Sequence, residues 1–323
     1  MISRALFPLA LVLACAGTAQ QDAGPPAERV ARLVKTGRLD EAERVARGGG
    51  PELTVPLAEL LILRGKLVEA ESLLVAAIDS NRPGARTAQA ALAELAARRG
   101  NRTAALRLAA VLADNYQLSG NGWPVPDRIA AGRAYVVLGL AESQAPRLAL
   151  AAFDGAAAAD PTNVEARLRA ADLLIDRYNA PDAKSSYEEV LAIDPENARA
   201  LLGMARVLSF ENNPGATEVV RKAVAANPAL VPGLLFLARM HLEAESYDSA
   251  AAVAGKALAV DSTALAAWGV MGAVAWLGGD STGWRQARAE AARVHPAPAD
   301  FYSELAEAAA RHRRYAAAVG MAQ

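Results

Sequence analysis

Residues 149–161 read ALAAFDGAAAADP, residues 183–195 read AKSSYEEVLAIDP and residues 216–228 read ATEVVRKAVAANP. The three stretches share one frame. Ala149, Ala183 and Ala216 are followed four residues later by Phe153, Tyr187 and Val220, seven later by Ala156, Val190 and Ala223, and twelve later by Pro161, Pro195 and Pro228. Offsets of four and seven place side chains on one face of a helix. The frame recurs as Ala250, Ala254, Ala257 and Ser262, and more loosely as Trp284, Arg288, Ala291 and Pro296. Ala318 opens a further copy that stops before its closing turn. Successive anchors are 34, 33, 34, 34 and 34 residues apart, a regularity that marks a repeat array and not a single globular core.

A second set of small residues keeps step. Ala171, Ala238, Gly272 and Ala306 precede their anchors by twelve positions and Ala205 by eleven, each next to Ala170, Leu237, Met271, Leu305 or Met204. Small side chains at a crossing let two helix axes approach to about 8–10 Å while the larger neighbours fill the adjoining space. The prolines close each second helix, because proline lacks the amide hydrogen and disfavours helix in the residue before it.

The period, the paired small residues and the closing proline together resemble the tetratricopeptide repeat (TPR) family over residues 130–323. The resemblance implies an all-α, right-handed α-solenoid of antiparallel hairpins. Before residue 130 the match is partial. Ala42, Ala70 and Ala105 serve as anchors, with Ala58 and Ala93 twelve positions before the last two, but the spacings are 28 and 35 residues, and 44 more separate Ala105 from Ala149. The predicted organisation is an export segment over 1–19, irregular hairpins over 20–112, a Gly/Pro-containing loop over 113–128 and a regular array over 129–323. Nine candidate hairpins result, the first and last incomplete or atypical. Val137 and Trp284 stand where small residues belong, so shifted helix contacts are expected there. Gly120, Asn121, Gly122, Pro124 and Pro126 exclude a continuous helix from Asp114 to Asp127. Trp123 within that stretch is expected to cap a hydrophobic seam. Ala316 to Met321 has the pattern of an interior helix, so the natural chain is expected to continue past Gln323.

Composition bounds the function. Hydrophobic residues make up 53% of the 323 residues but aromatics only 5%, and alanine, the best helix former, fills much of the difference. With 34 basic against 35 acidic side chains there is no basic stripe for phosphates, so no nucleic-acid partner is expected. Arg4 followed by the apolar run Ala5–Ala16 has the form of a bacterial secretory signal, too short to span a bilayer comfortably. Cleavage after Ala19 or Ala16 is one outcome. Lipid attachment at Cys15, within Val12-Leu13-Ala14-Cys15, is the other, and a membrane is a partner only in that case.

Catalytic patterns are lacking. His241, His295 and His312 form no zinc spacing, and neither a Gly-x-Ser-x-Gly elbow nor a phosphate loop with its lysine occurs. No catalytic residue, cofactor or metal is therefore expected. In the TPR family the first helix of each hairpin lines a concave surface that takes peptides. Carried onto this chain, the resemblance implies a groove containing Asp172, Arg199, Arg206, Phe210, Arg239 and Trp276. Arg206 and Arg239 hold equivalent places in adjacent repeats, and two such arginines suit a carboxylate, hence an acidic or C-terminal peptide segment. A pairing of Asp172 with Arg206 across repeats is the competing structural role. The expected function is a non-catalytic protein- or peptide-binding scaffold, exported to the periplasm or envelope. The alternatives are an accessory array of a longer envelope hydrolase and a lipid-anchored docking subunit for envelope assembly or secretion.

Overall fold

A computed structural model describes residues 24–80 and 84–314. The export segment, Cys15 and Ala318 lie outside the described residues. Among those residues there are seventeen α-helices and no strand. They form antiparallel pairs: α1 (Pro26–Lys35) with α2 (Leu39–Arg47), α3 (Thr54–Leu63) with α4 (Leu67–Asp79), α5 (Ala85–Arg98) with α6 (Arg102–Ser119), and α7 (Val125–Leu138) with α8 (Ala145–Ala159). The regular array continues with α9 (Val164–Asp176) and α10 (Ala180–Ile193), α11 (Ala198–Phe210) and α12 (Ala216–Ala226), α13 (Val231–Glu243) and α14 (Tyr247–Val260), then α15 (Leu265–Leu277) and α16 (Ser281–Val294). α17 (Ala299–Arg311) is the last described helix and packs on α15.

Local chemistry sets the boundaries. Asn101, Asn163, Asn179 and Asn197 cap α6, α9, α10 and α11, each side-chain oxygen accepting a hydrogen bond from a first-turn amide. Each such cap contributes about 1 kcal/mol. The anchors Ala42, Ala70, Ala105, Ala149, Ala183 and Ala250 are fully buried, as are Ala171, Ala205 and Ala238 opposite them. Phe153, Tyr187 and Phe301 are the largest fully buried side chains and fill the space that the alanines leave.

Two expectations need correction, and the shift of contacts expected at Trp284 is observed. The break predicted over 113–128 shrinks to a 3-10 turn at Gly120–Gly122 followed by Trp123 and Pro124. Residues before Gly120 contain no helix breaker, and Pro126 falls in the first turn of α7, where its missing amide hydrogen has no partner to lose. On α17, Ala306 is only half-buried, and Phe301 and Leu305 meet Gly272 instead. Trp284 leaves the helix crossing and stacks on Phe301 with ring centroids 5.8 Å apart, while the exposed Arg288 contributes nothing to the core.

The superhelix meets itself. Asn227 Nδ2, just after α12, donates to the carbonyl of Val34 on α1 at 3.2 Å, across 193 residues of sequence. Lys35 Nζ pairs with Asp194 at 2.7 Å. Arg98, at the end of α5, donates to Asp261 Oδ2 at 2.5 Å and to Thr263 Oγ1 at 2.8 Å. Gly100 lies against His295. The turns inside the first three hairpins therefore rest on the ends of α12, α14 and α16, five hairpins further on in each case.

Candidate binding surface

The inner side of this coil is found by asking which side chains reach across repeats. Helices two repeats apart approach only on the inside of a bend. Arg133 on α7 donates to Glu59 on α3 at 2.7 Å, skipping α5, and Arg239 on α13 pairs with Glu304 on α17, skipping α15. The first helices thus line the concave face.

That face is a continuous ionic strip. Arg133 grips Glu94 of α5 with two bonds, Nε at 3.0 Å and Nη2 at 2.7 Å. Arg169 reaches Glu94 at 3.4 Å and Glu165 at 2.7 Å. Arg199 bridges Glu165 at 2.7 Å and Asp172 at 3.0 Å. Asp172 also accepts from the Tyr187 hydroxyl at 2.7 Å. Arg206 closes the series on Asp176 at 2.5 Å.

The charges are strongly coupled. Burial works against ionised Glu165, yet the guanidinium groups of Arg199 and Arg169 outweigh it and hold the carboxyl at about 2. Glu94 is likewise lowered, burial being overcome by Arg133 and Arg169. Arg133 and Arg199 are raised despite burial, through Glu94 with Glu59 and through Glu165 with Asp172. Burial, and then the carboxylate of Asp172, push the Tyr187 hydroxyl upward. Opposite charges alternate along the strip, so its arginines already have carboxylate partners.

The six groove residues expected from sequence fall into two groups. Asp172, Arg199, Arg206 and Phe210 lie together on α9 and α11. Their partners differ from the expected pair, since Asp172 takes Arg199 and Arg206 takes Asp176. Arg239 does not join them, because it is committed to Glu304. Trp276 stands apart beneath the Arg314 guanidinium, 4.9 Å from the ring centroid.

Tyr178 was not anticipated. It sits in the turn between α9 and α10 with φ of 61°, is 80% exposed, and its ring lies 6.4 Å from that of Phe210, itself 53% exposed. An aromatic in the turn position next to a capping asparagine, one repeat before an aromatic at a helix end, is the signal that would have found it. Arg206 stands one helical turn before Phe210, and Asp176 two residues before Tyr178. An ion pair and an aromatic pair are thus side by side on the rim.

Among the described residues, no group of three or more His, Cys, Asp or Glu side chains is placed to hold a metal, and no helix is long and apolar enough to cross a membrane. Trp123 is buried against Tyr116, with ring centroids 5.3 Å apart, under the guanidinium of Arg86.

Among solved structures, the chain is similar to the APC/C hetero-tetramer Cut9-Hcn1, with a TM-score of 0.61 and 16% identity over 91% of this chain. It spans 57% of that one. It is also similar to a tetratricopeptide repeat protein from Parabacteroides merdae, with a TM-score of 0.47 and 18% identity over 76% of this chain and 91% of that one. A thermophilic TPR protein in Thermus thermophilus gives a TM-score of 0.46 and 18% identity, over 57% of this chain and 95% of that one. No protein-family model and no curated protein matches the chain. The fold is a right-handed solenoid of the TPR kind.

Proposed function

We propose that this chain is a non-catalytic scaffold that recognises a segment of another protein at the rim patch formed by Arg206, Asp176, Phe210 and Tyr178. The observation that carries the proposal is the coexistence of two exposed, touching aromatic rings with a guanidinium one turn away. Aromatic side chains and arginine dominate the energetics of protein interfaces. The Arg206–Asp176 pair is solvent-accessible, so an incoming carboxylate competes with Asp176 at little cost. The segment that fits is extended, with an apolar or aromatic side chain beside an acidic residue or a free C-terminus. The fold neighbour Cut9-Hcn1 is a hetero-tetramer, and an interaction role for a TPR solenoid agrees with that.

The test uses short peptides that differ only in a terminal carboxylate or carboxamide. Binding that is stronger for the carboxylate, and that falls on Arg206→Glu or Phe210→Ala with helicity unchanged, supports the assignment. Equal binding of both forms by the parent chain, or a carboxylate preference that survives in the Arg206→Glu variant, refutes it.

We further propose that the scaffold acts outside the cytoplasm, in the periplasm or envelope of a bacterium. Arg4, the apolar run Ala5–Ala16 and the small residues before Gln20 support export. Val12-Leu13-Ala14-Cys15 supports the variant in which the chain is tethered by lipid. The intact mass of the endogenous protein tests both. A chain beginning at Gln20 means release, an acylated Cys15 means tethering, and an unprocessed Met1 in the cytoplasm contradicts export.

A further inference from the structure

Seven of the eight described hairpins, all but the fourth, place one turn residue in the left-handed backbone region. That residue is Gly37, Gly65 and Gly100 in the first three hairpins, with φ of 74°, 70° and 76°. In the fifth, sixth and seventh hairpins it is Tyr178, Asn212 and Glu245, with φ of 61°, 55° and 56°. The turn itself therefore tolerates side chains in this protein. What separates the two sets is the surface opposite.

A Cβ built on Gly37 would lie 2.6 Å from Asn227 Oδ1, and one on Gly65 or Gly100 would overlap Asp261 Oδ1 or His295 Nε2. Asn227, Asp261 and His295 are the C-caps of α12, α14 and α16, evenly spaced by the repeat period. Gly279, in the eighth hairpin, has the same φ as Gly37 but no atom within 4 Å of a built Cβ. Three glycines in successive hairpins thus face three caps in successive hairpins. The bonds Asn227–Val34, Lys35–Asp194 and Arg98–Asp261 flank them.

We infer that Gly37, Gly65 and Gly100, with Asn227, Asp261 and His295, form an intramolecular clasp that locks the first three hairpins onto the sixth, seventh and eighth, layer on layer of the superhelix. Bare backbone at the three turns lets the layers touch, and Arg98 adds bonds to Asp261 and Thr263 across the joint. The clasp is self-limiting. On the free edge the equivalent turns carry Tyr178, Asn212 and Glu245, whose side chains block a second copy from continuing the same contact. A closed clasp also keeps a folded partner away from the inner ionic strip, leaving the free edge as the accessible face. The clasp does not rest on the binding proposal: its six residues lie outside the Arg206–Phe210 patch, and Tyr178 of that patch enters here only as a side chain on the free edge.

The test is a distance across the joint. Spin labels are placed at Arg99→Cys and Ser262→Cys, two exposed positions on opposite sides, in the full chain carrying Cys15→Ser. A narrow, short distance distribution is expected. Gly65→Asn keeps a residue that tolerates the left-handed region but adds a side chain against Asp261. It should shift the distance by more than the width of the parent peak. Gly279→Asn, matched in backbone conformation but free of neighbours, should leave the peak in place. Arg98→Met, which removes the bonds without adding bulk at the turn, should broaden it. A broad or long distribution in the parent chain overturns the clasp outright, and so does a Gly65→Asn or Arg98→Met distribution that coincides with the parent's.

Discussion

Arg133 Nη1 donates to Glu59 Oε1 at 2.7 Å although the two residues are 74 positions apart and α5 runs between their helices. Arg133 is only 6% exposed, and its other nitrogens hold Glu94 on that intervening helix. One side chain thus ties three repeats together on the inside of the bend, where the helices are closest.

Replacing Arg133 by Met should be costly for this reason. The substitution leaves Glu59 without its cation and Glu94 with only the longer contact to Arg169, and breaking a buried pair by removing one partner typically costs about 3–5 kcal/mol. Glu59 and Glu94 retain some water, so about 2–3 kcal/mol is expected here. Denaturant unfolding measures it. A loss below about 0.5 kcal/mol would show the strip to be ordinary surface charge.

Depressed carboxyls on the strip and, separately, at Glu43 on α2 predict an acid-labile fold. Glu165, Glu94 and Glu43 have carboxyls held below the ordinary glutamate value in the folded state. For Glu43, burial acts upward but hydrogen bonds from Lys66 and Arg47 prevail. A carboxyl depressed on folding adds stability that is complete above its unfolded pKa and is lost as pH falls through its folded pKa. With Glu165 at about 2, stability from this group should hold down to about pH 5 and decline toward pH 2. Denaturation midpoints at several pH values test this. Glu165→Gln should lower the neutral-pH midpoint and flatten the acid slope, whereas an unchanged slope would contradict the coupling.

Trp123 is expected to be structural. Its ring packs on Tyr116 and lies 4.1 Å beneath Arg86, which pairs with Asp127 at 2.6 Å. Trp123→Ala should cost about 3–5 kcal/mol, in the range of buried aromatic truncations. If stability is preserved while partner capture is lost, the turn is a binding loop and the packing role is wrong.

The sequence was most informative where physics is local to one repeat. The spacing of Ala149, Ala183, Ala216 and Ala250 follows from helix pitch and hairpin length, and all four are buried as expected. Placing Asp172, Arg199, Arg206 and Phe210 on adjacent first helices needs no more than that register. Which carboxylate each arginine takes depends instead on the rotation between repeats. A shift of one helical turn gives Arg206 to Asp176 and not to Asp172, and Arg239 finds its partner two repeats away. The joint between Arg98 and Asp261 is further still from local reasoning, because small rotations accumulate over several hairpins before those residues meet. Gly37, Gly65 and Gly100 each stand between two helices of a hairpin in the sequence, but nothing local pairs them with Asn227, Asp261 and His295. That pairing required the coil.

Docking of a partner at the Arg206–Phe210 rim can be tested by crosslinking. The most direct measurement places a photoreactive phenylalanine at position 210, in the producing cell, beside a second chain labelled at Leu118. Leu118 is apolar and 86% exposed, and lies on α6, well away from the patch in sequence and fold. The account predicts a discrete adduct from position 210, its loss when Arg206→Glu is added, and none from position 118. Adducts of the same size from both positions, or one from 210 that persists with Arg206→Glu, would contradict it.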